Sequence, residues 1–168
     1  MRDKIEVLSN IVVIVVGLLV GSLVVKNYFL GTPSAIEMLR PGDQLEPIGD
    51  SKWGTYGGTL VLALRTGCRY CDESAPFYRT LAGNNPGQGR LVAVFPDKHP
   101  DVEVYLESKG LSIESIPQFP LEKLKITGVP TLILADVDGR VVKTWRGVLT
   151  PSAQEEVLDL FSKVKKSR

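Results

Sequence analysis

The chain has 168 residues, 43% of them hydrophobic, which is enough to bury one core and argues for a single globular domain. Lysine and arginine number 20 against 19 acids, a formal net charge of +1, and no basic run precedes the short tail of Lys163, Lys165, Lys166 and Arg168, so nucleic acid is excluded as a partner. With two cysteines and one histidine, a zinc site would have to recruit carboxylates, and no metal or cofactor is expected.

Residues 1–6 form a short flank. From Val7 to Val25 there are nineteen residues without a charge, bracketed by Glu6 and Lys26. As a helix they would reach roughly 28 Å, close to one hydrocarbon core. The aromatic pair in Lys26-Asn27-Tyr28-Phe29 suits the membrane interface, so residues 7–30 are assigned as a transmembrane anchor. A cleaved signal peptide fits less well, because the apolar stretch is long for one and no Ala-x-Ala-like site follows it. A lipid-modified cysteine is excluded, since none lies nearby. Arg2, Lys4 and the α-amine precede the span while Lys26 and Arg40 follow it, a slight bias toward a cytoplasmic N-terminus. The rest of the chain is then extracytoplasmic, on the periplasmic side of the membrane.

Residues 31–42 read as a tether and 43–168 as the folded domain. Asp43 to Tyr56, rich in glycine and proline breakers, is expected to form a short hairpin laid on the domain with Trp53 as a packing residue. Thr59 to Leu64 is nearly all apolar without alternation, as in a central strand covered on both faces. The hexapeptide Thr66-Gly67-Cys68-Arg69-Tyr70-Cys71 follows at once and holds both cysteines of the chain. A helix then runs through Leu81, with Pro76 inside it, and ends in Gly83-Asn84-Asn85-Pro86-Gly87.

The hexapeptide is where chemistry concentrates. Its first thiol falls at a helix N-terminus, where unpaired N–H groups and the macrodipole favour an anion, so Cys68 should titrate below the roughly 8.5 of a free thiol. Arg69 adds positive charge beside it, while Asp72 and Glu73 oppose. Cys71 lies about one helical turn further on, within reach of a disulfide. A purely structural disulfide over so short a loop removes little chain entropy, which leaves thiol-disulfide chemistry as the favoured reading.

Leu91 to Phe95 reads as a second buried strand, closed by Pro96. His99 lies in the turn from Asp97 to Pro100 as a lone surface histidine, and Val102, Tyr105, Leu106 and Lys109 mark a short amphipathic helix ended by Gly110. Leu111 to Lys125, broken by Pro117 and Pro120, yields no clear element. A third strand is expected at Leu132 to Ala135, then a turn at Asp138-Gly139 and an antiparallel strand from Arg140 to Trp145. Thr150-Pro151 is an N-cap with proline at the first helical position, and Val157, Leu158, Phe161 and Val164 stripe a final helix. The order strand, helix, strand, helix, strand, strand, helix argues an α/β sandwich with helices on both faces of the sheet.

These residues carry a resemblance. Cys68-Arg69-Tyr70-Cys71 after a buried strand, Pro76 five residues beyond the second cysteine, Ile126-Thr127-Gly128-Val129-Pro130-Thr131, and Asp138-Gly139 with Trp145-Arg146-Gly147 occur in the order and spacing of the thioredoxin superfamily. With its anchor, the chain is most similar to membrane-tethered extracytoplasmic thiol-disulfide oxidoreductases of bacteria. The match covers about Thr59 to Val164. It implies a thioredoxin-like three-layer sandwich, Cys68 as the attacking and Cys71 as the resolving thiol, and a cis Pro130 facing them. It also implies that Val129 offers backbone groups to the partner, with Gly67, Arg69 and Tyr70 around the site. The implied partners are extracytoplasmic protein thiols and disulfides together with a protein that recycles the pair.

The chain also departs from that pattern. Gly67 stands where the family carries a tryptophan, Leu62 where thioredoxins proper carry a buried acid, and Ser74 where the tethered relatives carry another. Two other readings compete. A peroxidase of the peroxiredoxin kind would need threonine three residues before Cys68, where Arg65 stands, with Thr66 only two before. A metallochaperone or assembly factor on the same scaffold would hold a soft ion through the thiols, without the histidine and methionine enrichment that accompanies such sites; Met38 is the only methionine after the first residue.

Overall fold

The computed structural model describes residues 13–22, 39–85 and 89–166. It separates into two units, residues 1–35 and residues 36–168. In the first, residues 13–22 are helical (α1) and apolar, with Val13, Ile14, Leu18 and Leu19 exposed. Among the described residues no helix is long and apolar enough to cross a membrane. The remainder of the anchor assigned to 7–30, and most of the tether, lie outside the described residues.

The second unit is built on five strands: β1 (Gly58–Ala63), β2 (Arg90–Val94), β3 (Glu114–Ile116), β4 (Thr131–Asp136) and β5 (Val141–Arg146). Their order in the sheet is β3-β2-β1-β4-β5. β1 pairs in parallel with β2, and β2 with β3, whereas β4 runs antiparallel to both β1 and β5. β1 is buried at every position, which explains why its sequence shows no alternation. Three helices follow: α2 (Arg69–Gly83), α3 (His99–Ser108) and α4 (Pro151–Lys166). The helix α3 carries Val102, Tyr105 and Leu106 inward at the spacing of one helix face. The start of α4 is capped as its sequence predicts, the Ala153 N–H donating to Thr150 Oγ1 at 3.4 Å.

The two faces of the sheet are covered differently from the sandwich expected. Leu60, Leu62, Leu91, Phe95, Leu132 and Leu134 form one core with side chains from α2, α3 and α4 together. The alternate residues Val61, Ala63, Val92, Val94 and Ile133 pack against Leu45 and Ile48 from the segment before β1, Leu124 from a single 3-10 turn, Leu121–Leu124, and Ile126 just after it. The reason is topological. The chain steps from β1 to β2 to β3 in one direction, and two right-handed crossovers in the same direction deposit both helices on the same face. The return from β3 to β4 then crosses the other face without room for a long helix.

The expected hairpin within 43–56 is absent. That segment is instead strapped onto the β4–β5 turn: Gln44 bridges Arg140, the Leu45 N–H donates to Gly139 O at 2.9 Å, and Trp53 Nε1 donates to Leu45 O at 3.1 Å. Strand β3, unread in the sequence, is held at the edge by Arg90. This residue is only 4% exposed, and its guanidinium pairs with Glu114 and donates to Ile48 O at 2.8 Å.

Two predictions follow from this packing. At Gly139, φ is +81°, and a Cβ would lie 2.3 Å from the Trp53 indole; at Gly147, φ is +71° with nothing within 4 Å. Gly139→Ala should therefore cost about 3 kcal/mol or more, backbone strain plus overpacking, and Gly147→Ala about 1 kcal/mol, measured by urea unfolding. Equal costs would contradict the Trp53 contact. Burial also pushes the Tyr78 phenol from 10.0 up to about 12, opposed by the Ser74 hydroxyl, and burial with the nearby Asp72 raises Tyr105 as well. A raised folded-state value means the neutral phenol is favoured in the fold, so this stability is intact below pH 10 and lost as pH rises toward 12. The urea midpoint should fall over that interval, with phenolate absorbance from these two residues appearing only on unfolding. A midpoint that stays level there would contradict the burial.

Candidate active site

The site forms at the carboxyl ends of the parallel strands β1 and β2, the end of an α/β sheet where ligands ordinarily bind. After β1, Leu64 continues the buried run, and its N–H donates to Val94 O at 3.0 Å. The chain then turns through Thr66 and Gly67. Gly67 has a φ of +68°, a left-handed conformation that glycine adopts without penalty. The Thr66 N–H donates to Asp97 Oδ2 at 2.9 Å, tying this turn to the end of β2.

Cys68 is the N-cap of α2. Its backbone is extended, with φ −88° and ψ 109°, and its Sγ accepts from the Cys71 N–H at 3.2 Å. One of the helix's orphan donors is thus directed at sulfur, the arrangement that favours a thiolate there once the disulfide opens. Cys68 and Cys71 are bonded to each other, with Cα atoms 5.2 Å apart. Their environments differ: Cys68 is partly exposed and Cys71 fully buried. An approaching sulfur therefore has access to Cys68 and none to Cys71.

Across from the pair, Val129 O lies 4.0 Å from Cys68 Sγ, and the Val129–Pro130 peptide is cis, with Pro130 buried. The Gly147 N–H donates to Pro130 O at 2.9 Å, which fixes this loop against the end of β5. Cys68, Cys71, Val129 and Pro130, singled out in sequence, are thus brought together.

The other singled-out residues lie around them in different ways. Gly67 is exposed and supplies only the turn. Tyr70 is 58% exposed, beside the disulfide in sequence, and its carbonyl accepts from Ser74 Oγ at 2.9 Å. Arg69 pairs with Glu73 at 3.0 Å, with its own side chain 85% exposed, so its charge is shared with that carboxylate. Ser74 is buried, where the resemblance called for an acid. Asp97 escaped the sequence reading as a site residue, whereas Gly147 was read as closing the last strand without its bond to Pro130. An acid immediately after a buried strand at the site end of the sheet was the available signal for Asp97. Among the described residues no group of three histidine, cysteine, aspartate or glutamate side chains is placed to hold a metal.

No family model matches the chain, and no curated sequence does. Solved structures do. A Chlorobium tepidum protein provisionally identified as the thiol:disulfide interchange protein DsbE superposes with a TM-score of 0.64 at 18% identity, covering 76% of this chain and 99% of its own. The thioredoxin domain of thiol-disulfide oxidoreductase BVU-2223 from Bacteroides vulgatus gives 0.60 at 19% identity, over 73% of this chain and 98% of that one. StoA from Bacillus subtilis gives 0.51 at 21%, over 62% and 83%. The likeness is one of architecture, and by it the chain has the thioredoxin fold.

Proposed function

We propose that this chain is a thiol-disulfide oxidoreductase, tethered to the membrane by residues 7–30 and exchanging disulfides with protein partners on the extracytoplasmic side. One observation carries the reading: an accessible cysteine capping a helix is bonded to a fully buried one, beside a Val129–Pro130 cis peptide. The fold that such proteins as BVU-2223 share supports it. The apolar, exposed helical residues 13–22 support the anchor, as lipid-facing side chains would be.

The chemistry follows from the two environments. With the pair reduced, the Cys68 thiolate attacks one sulfur of a partner disulfide, forming the bond between Cys68 and that sulfur as the partner's second sulfur leaves as thiolate and takes up a proton. The Cys71 thiolate then attacks Cys68 Sγ, restoring the disulfide seen here and releasing the partner's first thiolate. Two electrons pass from this protein to the partner. In reverse, a partner dithiol attacks Cys68 and leaves with the disulfide. Cys71 needs no access to solvent for either course, because its only reaction is with Cys68. The extended partner segment lies along Val129, whose backbone N–H has no hydrogen-bond partner among the described residues and is open to an added strand.

Two outcomes test this reading. In the full chain, Cys68→Ser should lower disulfide exchange by a factor of about 1,000 or more, to the level of the buffer thiols, while Cys71→Ser should accumulate a partner disulfide-linked through Cys68, resolved on a non-reducing gel. Exchange that survives Cys68→Ser would refute the assignment. For the anchor, the full chain should sediment with membranes, resist alkaline carbonate and dissolve in detergent, and protease added from the outer side should remove the domain. A chain released by carbonate would contradict it.

A further inference from the structure

A groove of about 510 Å³ opens beside Cys68, and Val129, whose carbonyl faces the sulfur, forms part of its wall. Arg65, Lys98, Phe119, Glu122 and Thr127 also line it. Its walls are built by hydrogen bonds: Gln118 N–H to Asp97 O at 2.8 Å, Phe119 N–H to Phe95 O at 2.7 Å, and Thr66 N–H to Asp97 Oδ2. Apolar side chains, Phe119, Leu121 and Ile126 among them, alternate with polar ones along the groove.

Its charge is unbalanced. Several cations on this domain are matched, as Arg69 is by Glu73, Lys109 by Asp72 and Lys163 by Asp159. Arg65 and Lys98 are exposed and make no ion pair among the described residues, and Arg146, which reaches Thr127 Oγ1 at 3.5 Å, makes none either. The acids nearby are Glu122, on the groove wall, and Asp97, whose Oδ2 is engaged by the Thr66 N–H. Two cations thus stand on the wall of a cleft, with Arg146 reaching a third wall residue, Thr127, and Val129 joins that wall to the reactive sulfur.

Resting on the exchange chemistry proposed above, we infer that the groove selects partners whose redox-active cysteine is flanked by an extended segment bearing aspartate or glutamate. With the partner sulfur bonded to Cys68, that segment runs past Val129 at about 3.3 Å per residue, so its next few side chains pass Arg65 and Lys98. Exposed charge pairs of this kind act on association and register, each changing the rate by about two- to five-fold at low salt.

The test uses the full chain in neutral detergent, reduced, reacting with three disulfide peptides identical except for glutamate, glutamine or lysine beside the cysteine. Hydroxyethyl disulfide, too small to occupy the groove, normalises each rate. The glutamate peptide should react about ten-fold faster than the lysine peptide, with the ratio shrinking toward unity as salt rises through several hundred millimolar. The double variant Arg65→Glu and Lys98→Glu should invert the order, and Arg65→Gln with Lys98→Gln should level it. Equal normalised rates for the three peptides in the unaltered chain, or an unchanged order in the charge-reversed one, would overturn the inference while leaving the exchange chemistry intact. Failure to react with any disulfide, hydroxyethyl disulfide included, would overturn both.

Discussion

The structure depends on one contact, the Cys71 N–H directed at Cys68 Sγ across the first turn of α2. A helix must leave its first N–H groups without internal partners, and here a sulfur rather than a hydroxyl or carboxylate occupies the capping position. The same geometry that starts the helix therefore prepares the leaving and attacking forms of the thiol. It also sorts the two cysteines by burial, since the cap sits at the rim of the sheet while the next turn is already in the core. The difference in access between the two sulfurs comes from position along one helix turn.

Holding that turn in place takes both sides of the sheet. β1 delivers it from the centre, where Leu60, Leu62 and Leu64 are wholly buried and each contributes about 1.5–3 kcal/mol of burial. The packing of all three helices on one face leaves the other to the strap before β1 and to the return segment from β3 to β4. That return carries the 3-10 turn, a groove wall and then the Val129–Pro130 peptide in a single stretch. Whatever positions the segment shapes the groove and the Val129–Pro130 peptide as well, so groove and fold are coupled through residues 117–130.

Much of this was legible in the sequence because local and global signals agreed. The uninterrupted apolar run at Thr59 to Leu64, the Thr150-Pro151 start and the Asp138-Gly139 turn each state their own structure, and they stand within a residue or two of where they were read. The cysteine pair was legible for the same reason, lying between an unmistakable strand and a helix. What escaped was set by distant contacts. Strand β3 has three residues and no pattern of its own; it exists because Arg90 and Glu114 pair beside an existing edge. The strap around Trp53 looked like a hairpin because its breakers mark turns without saying what the turns lie against. Asp72 and Glu73 were both read as opposing Arg69, and the structure separates them: Glu73 pairs with Arg69, while Asp72 pairs with Lys109.

The most direct measurement is a redox titration of the full chain in glutathione buffers of stepped ratio, with the thiol state fixed by alkylation and read by mass. Cys68 and Cys71 should convert together in one two-electron transition, ten-fold in equilibrium constant per roughly 30 mV, with the same midpoint approached from the oxidised and the reduced side. A pair that keeps its starting state across the whole series, or two cysteines that respond independently, would contradict the account.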